Sequence, residues 1–160
     1  MKKMRNIGLL LLCISIFLVG CQSPAAFDNI YDSDEKIVMQ DQFEAQNEEN
    51  LKLENGSYQY TAESFSGAKT IWQYDAKEGE SITFAYDLSV YKGNGKLVLI
   101  QPDQTILKLA ASKSRGEGNV RNPDSVITTV EGLYQLKVVG AGSPKLSITL
   151  NFSHGNWKAS

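Results

Sequence analysis

From Gly56 onward, apolar and polar residues alternate with a period of two, the pattern of strands that bury one face. The clearest run places Ile82, Phe84, Tyr86, Leu88 and Val90 on one phase. Ser81, Thr83, Ala85, Asp87 and Ser89 occupy the other. A one-residue slip there would expose all the apolar side chains, so the register is expected to be firm. Tyr58, Tyr60 and Ala62 share a phase in an earlier segment. Thr70, Trp72 and Tyr74 form the next, with Ile71 on the opposite phase leaving its orientation open. Leu97-Val98-Leu99-Ile100, within 96–101, is continuously apolar and predicts a central strand. Segments at 105–110 and 125–130 follow, and two clean alternations close the series: Tyr134, Leu136, Val138, then Leu146, Ile148, Leu150, Phe152.

Turn-forming residues separate these runs. Asn55-Gly56, Gly67, Glu78-Gly79, Gly93-Asn94-Gly95, Pro102-Asp103, Gly132 and Gly140-Ala141-Gly142 supply positive φ or preset turns. About eight short strands and no convincing helix predict an all-β, antiparallel, jelly-roll-like sandwich over residues 56–153. Residues 154–160 are expected to form a C-terminal tail.

The chain ahead of Gly56 is different. Residues 1–6 carry Lys2, Lys3 and Arg5, and an apolar run from Ile7 to Val19 follows, broken by Gly8 and Ser15. A helix over that run spans about 20 Å, short of the roughly 30 Å hydrocarbon core of a bilayer. Residues 1–20 therefore read as an export signal. The run ends in Leu18-Val19-Gly20-Cys21, with a small residue before the cysteine. This quartet resembles the lipobox of bacterial lipoproteins. The resemblance implies that Cys21 is acylated and becomes the mature N-terminus, and that the protein is lipid-anchored outside the cytoplasm on a bacterial cell membrane or outer membrane. Gln22-Ser23 follows with no Asp, which by the same resemblance permits outer-membrane sorting in a two-membrane cell. Cys13 lies within the apolar run and reads as a small hydrophobe. With Cys21 acylated, the mature chain has no thiol left for a disulfide.

Charge divides the chain further. Its 160 residues carry a formal net charge of −2, which argues against a dedicated nucleic-acid binder. Within 22–55, nine acids face only Lys36 and Lys52, and Gln and Asn fill much of the rest. Such a stretch buries little and predicts a mostly solvated acidic tether over 21–55, about 30–35 Å in root-mean-square span. Ile37-Val38-Met39 and Phe43 could instead pack on the domain or add an edge strand, and 41–52 could form a short helix.

Candidate chemistry is sparse. His154, the sole histidine, reads as a solvated residue. Gly93-Asn94-Gly95-Lys96 resembles half a phosphate loop, but Leu97 stands where Ser or Thr is required. A hairpin turn is expected there. Asn151-Phe152-Ser153 matches a glycosylation sequon at a strand end. Asp75, Asp87, Asp103 and Asp124 fall near strand ends or loops without a ligand spacing. No catalytic residue, metal site or cofactor is expected. A binding surface fits better: Lys113, Arg115 and Arg121 in a Gly-rich loop over 113–121, and the aromatics Tyr91 and Trp157. The basic loop could meet an anionic polymer or the acidic tether itself.

The domain also resembles the bacterial pre-peptidase C-terminal domain. The resemblance is carried by Ile71-Trp72-Gln73-Tyr74-Asp75-Ala76 before Glu78-Gly79-Glu80, by Leu97-Val98-Leu99-Ile100-Gln101-Pro102-Asp103, and by Gly132-Leu133-Tyr134-Gln135-Leu136-Lys137-Val138. It covers about 80 residues and implies a non-catalytic sandwich module. The expected function is an anchored binding module for a protein, glycan or envelope polymer. Alternatives are a structural or immunity-type envelope component and a hydrolase using carboxylates. Radiolabelled fatty acid is expected to mark the wild-type chain and not Cys21→Ser; equal labelling of both would refute the anchor.

Overall fold

A computed structural model describes residues 26–158, with backbone alone at 114–117. The export signal, Cys21 and the side chain of Arg115 lie outside the described residues. The elements in order are a 3₁₀ turn Asp28–Ile30, helix α1 Asp34–Val38, and strands β1 Gln42–Lys52, β2 Tyr58–Ala76, β3 Ser81–Ile100, β4 Ile106–Thr128, β5 Gly132–Ala141, β6 Lys145–Phe152 and β7 Asn156–Trp157. Every strand pairing is antiparallel. The fold is an all-β sandwich.

All eight expected strand segments lie within strands, but three pairs of them are fused into single long bent strands, β2, β3 and β4. The first half of β2 pairs with β6, and its second half pairs with β5. The halves of β3 divide in the same way. β6 therefore centres a first sheet and β5 a second, and the bends at 63–67 and 91–93 carry chain from one to the other. Glycine makes those bends possible. Gly67 has φ +106°, and a Cβ there would stand 2.0 Å from the Gln42 carbonyl oxygen. Gly93 has φ +65°, and a Cβ would lie 2.7 Å from the Ala141 oxygen. Gly93-Asn94-Gly95 is thus a corner within β3 rather than a hairpin turn. Residues 113–121 are likewise not a loop. They belong to β4 and pair along β3, from Lys113 opposite Asn94 to Arg121 opposite Asp87.

The main core lies between the sheets. Tyr60, Ile148 and Leu88 meet in one cross-strand row, and Ala62, Leu146 and Val90 in the next, all inward and buried. The second sheet contributes Trp72, Leu136, Val138, Leu97 and Leu99. The Trp72 ring spans the sheets, with its centroid 4.9 Å from that of Phe84 in an edge-on contact. A register shift between Thr70 and Trp72 lets both Ile71 and Trp72 point into the core, which settles the orientation that alternation alone left open.

A second core cluster covers the outer face of the β5 sheet. Ala68, Val98, Ile100, Val139 and Ala141 point outward there, and Ile30, Tyr31 and Ile37 bury them. The segment expected as a solvated spacer is therefore largely folded. Its few apolar residues are spaced to reach one apolar face, and that contact outweighs the low average hydrophobicity of the segment. Ser33 caps α1, its hydroxyl oxygen accepting from the Lys36 N–H at 3.3 Å. β1 then adds an edge strand to β2. Glu48 ties β1 inward, accepting from the Tyr60 hydroxyl at 2.6 Å and from the buried Lys69 ammonium. At the other terminus, the expected tail pairs as β7 against Trp72 and Gln73. Ile37→Ala is expected to lower unfolding stability by about 2–4 kcal/mol in urea titrations. A change near zero would mean that the segment does not pack.

Candidate functional site

The outer faces of the two sheets differ in chemistry. On the β6 sheet, Gln59, Thr149, Asp87 and Arg121 form one cross-strand row, and Thr61, Ser147, Ser89 and Asn119 form the next. Each of these is the polar phase of a strand whose other phase fills the core, so alternation makes the face hydrophilic throughout. Asn119 bridges two strands: its side-chain amide donates to Asp87 Oδ1 at 2.7 Å and to Ser89 Oγ at 3.0 Å.

Toward one end of this face the surface dips into an open groove of about 390 Å³. Its polar lining includes Asp87, Thr149, Arg121, Asn122, Asn55 and Asn151. Two of these amides also shape the backbone around them. Asn55 Oδ1 accepts from the Ser57 N–H at 3.1 Å, and Asn122 Oδ1 accepts from the Asp124 N–H at 3.0 Å. Arg121 is exposed and makes no ion pair among the described residues. The groove presents amide, hydroxyl, carboxylate and guanidinium groups at short spacing. That set can hydrogen-bond a chain of hydroxyls in both directions.

Of the expected binding residues whose side chains are described, only Arg121 lies in the groove. Lys113 sits seven β3 positions further along, on the order of 20 Å of strand. It is near Lys96, whose charge also feels Asp32 and Asp34 of the N-terminal segment. Part of the basic stretch thus lies close to the acidic segment within the same molecule. Tyr91 is 39% exposed at the β3 corner. Trp157 is not a free platform: its ring stacks on Tyr58 with centroids 5.1 Å apart, and Tyr58 in turn stacks on Phe152 at 5.3 Å. It closes the edge of the core, together with the His154 carbonyl, which accepts from Trp72 Nε1 at 2.9 Å. Asn55, Asn122, Thr149 and Asn151 were not singled out as binding residues by sequence. The available signal was the polar phase of 87–89 and 147–151, but β6 and β4 flank β3 only in the folded chain.

The carboxylates weighed for catalysis are dispersed. Asp103 turns back on Thr105, accepting from its N–H at 3.0 Å and its hydroxyl at 2.7 Å, while Asp87 is held by Asn119. Among the described residues, no group of three or more His, Cys, Asp or Glu could hold a metal ion.

A second cleft, of about 400 Å³, lies where the N-terminal segment crosses the β5 sheet and is lined by Asp41, Thr70 and Lys137. Asp41 and Lys137 within it neutralise each other. The buried Lys137 ammonium donates to the Met39 carbonyl at 2.6 Å and pairs with Asp41 at 2.9 Å. Asp41 also accepts from the Thr70 N–H at 2.9 Å and the Thr70 hydroxyl at 2.8 Å. This cleft is a clasp.

No protein-family model matches the chain, and no curated protein matches it. Among solved structures, the chain is similar to the carbohydrate-binding module CBM6cm-2 from Cellvibrio mixtus lichenase 5A in complex with cellotriose, at 12% identity. That alignment covers 82% of this chain and 100% of that one, with a TM-score of 0.37. It is also similar to TmCBM61 in complex with beta-1,4-galactotriose, at 10% identity over 85% of this chain and 100% of that one, with a TM-score of 0.40. A protein of the infectious bursal disease virus Gx strain matches 74% of this chain and 39% of its own, at 11% identity and a TM-score of 0.32. Likenesses at this level transfer no ligand, and the fold assignment rests on the strand pairing above.

Burial pushes the Asp41 carboxyl up, but the bonds from Thr70 and Lys137 outweigh it and hold the group below its ordinary value of 3.8. Its contribution to stability is therefore complete above 3.8 and is lost as pH falls through the lower folded-state value. Asp41→Asn is expected to cost about 2 kcal/mol at neutral pH, less than a fully buried pair because Asp41 is partly exposed. The gap between Asp41→Asn and wild type should close below pH 3.8 in urea titrations; a gap independent of pH would refute the charged clasp.

Proposed function

We propose that this protein is an extracytoplasmic lipoprotein, anchored through Cys21, whose sandwich binds a glycan or similar hydroxyl-rich envelope polymer without transforming it. The observation that carries the reading is the contrast between the two outer faces. The apolar face of the β5 sheet is sealed by the chain's own N-terminal segment. The polar face of the β6 sheet is open and holds the groove of Asn55, Asp87, Arg121, Asn122, Thr149 and Asn151. Saccharide hydroxyls both donate and accept, and paired amides with an opposing guanidinium and carboxylate match that chemistry. The anchor rests on the lipobox-like Leu18-Val19-Gly20-Cys21. Carbohydrate-binding modules among the similar structures agree with a glycan as ligand, at a likeness too low to add weight.

The test is binding to a panel of envelope polysaccharides, read by calorimetry or affinity electrophoresis. Arg121→Ala and Asn151→Ala are each expected to weaken binding about tenfold, equivalent to about 1.4 kcal/mol. Glu78→Ala, on the turn before β3 and outside the groove's lining, should leave binding unchanged. Binding insensitive to both groove variants, or no binding across the panel, would overturn the assignment.

A further inference from the structure

The bends of the long strands gather at one end of the sandwich. The Phe65 N–H in the β2 bend donates to the Pro144 carbonyl at 3.0 Å. Glu63 beside it accepts from Lys145 and from Asn47 of β1, both at 2.7 Å. The β3 corner at Gly93 abuts Ala141 and Gly142. The N-terminal segment is fastened at this same end, where the Asp28 carboxylate accepts from the Gly142 N–H and the Ser66 hydroxyl, each at 3.0 Å.

Seven residue steps separate Asp28 from Cys21, and even a fully extended chain covers them in about 25 Å. The half of β3 from Ser81 to Tyr91 alone is about 34 Å long. A lipid on Cys21 therefore brings the corner end, and not the end at Glu78, to the membrane. The corner is suited to that surface. Tyr91 is 39% exposed, and Lys92 and Lys113 are exposed beside it. Arg115 lies in the β4 stretch between Ser114, opposite Gly93, and Glu117, opposite Tyr91. Of the acids near this end, Glu63 is paired with Lys145 and Asp28 is held by its two donors, while Glu44, opposite Ser66, and Glu117, opposite Tyr91, also stand there. Exposed lysines with a tyrosine are the combination that favours an anionic headgroup layer.

We infer that the corner bearing Tyr91, Lys92 and Lys113 docks on the anionic headgroups of the membrane that holds the lipid. The inference rests on the proposed acylation of Cys21. The docked molecule stands upright with the polar face of the β6 sheet along its side. Its groove lies in the distal half, four residues of β3 beyond the corner at Asp87 and further, where an envelope polymer has access.

The test uses the lipidated chain in phosphatidylcholine vesicles, with and without phosphatidylglycerol. A fluorophore is placed on Ser143→Cys at the corner or on Glu78→Cys at the far end, and headgroup-attached spin labels serve as quencher. Mass measurement first reports the acyl groups on Cys21. Quenching at Ser143→Cys is expected to exceed that at Glu78→Cys about threefold with phosphatidylglycerol, and to fall with added salt and with Lys92→Glu and Lys113→Glu together. Equal quenching of the two labels, or quenching indifferent to phosphatidylglycerol and to both charge reversals, overturns the docking alone. A chain without acyl mass at Cys21 overturns the anchor and the docking with it.

Discussion

An apolar surface on the outside of a sheet cannot stay in water, and this molecule's architecture turns on how that is resolved. Ala68, Val98, Ile100, Val139 and Ala141 make the outer face of the β5 sheet apolar. Ile30, Tyr31 and Ile37 cover it. The clasp of Asp41 on the cross-strand pair Thr70 and Lys137 holds the covering segment where it leaves the face. Without that cover the sheet would present an aggregation-prone surface. With it, the broad open face among the described residues is the polar one, and the N-terminal segment is fastened at the corner end.

That cover also shortens the connection to the proposed anchor. A tether with a span of 30 Å or so would let a module sample any orientation. Packing of residues 27–52 on the sandwich leaves seven residue steps between Cys21 and the first fastening at Asp28, which is the ground for the proposed orientation. One act of burial thus links a sealed face and an exposed polar face, and it underlies the orientation proposed at the membrane.

Much of the sandwich was legible because period-two alternation is a local property. Each of 58–62, 82–90, 134–138 and 146–152 carries its own inward phase, and each is a strand with that phase buried save the partly buried Tyr58 and Phe152. Even Leu97-Val98-Leu99-Ile100, apolar on both phases, announced a strand covered on both sides. The sequence did not say what covers it. The answer lay in the acid-rich segment, where Ile30, Tyr31 and Ile37 are diluted by neighbours that face solvent, so average composition hid their common direction. Gly93-Asn94-Gly95 misled for a related reason: glycines that permit a hairpin turn also permit a corner inside one long strand, and only the presence of partners on two sheets decides between them. Trp157 looked available because it stands near the chain end; its stacking on Tyr58 depends on a strand a hundred residues earlier.

By itself, the sequence determined the class of fold, the phase of each strand and the charge of each segment, since these depend on neighbours along the chain. Its Leu18-Val19-Gly20-Cys21 also resembles a lipobox, on which the proposed anchor rests. The tertiary structure decided which faces meet. It joined Asp87, Arg121, Thr149 and Asn151 from three strands into one groove, placed Lys113 far from Arg121, and turned an apparent spacer into the lid of the β5 sheet. Pairing between distant strands is set by burial of the whole core at once, and no local window of residues contains that information.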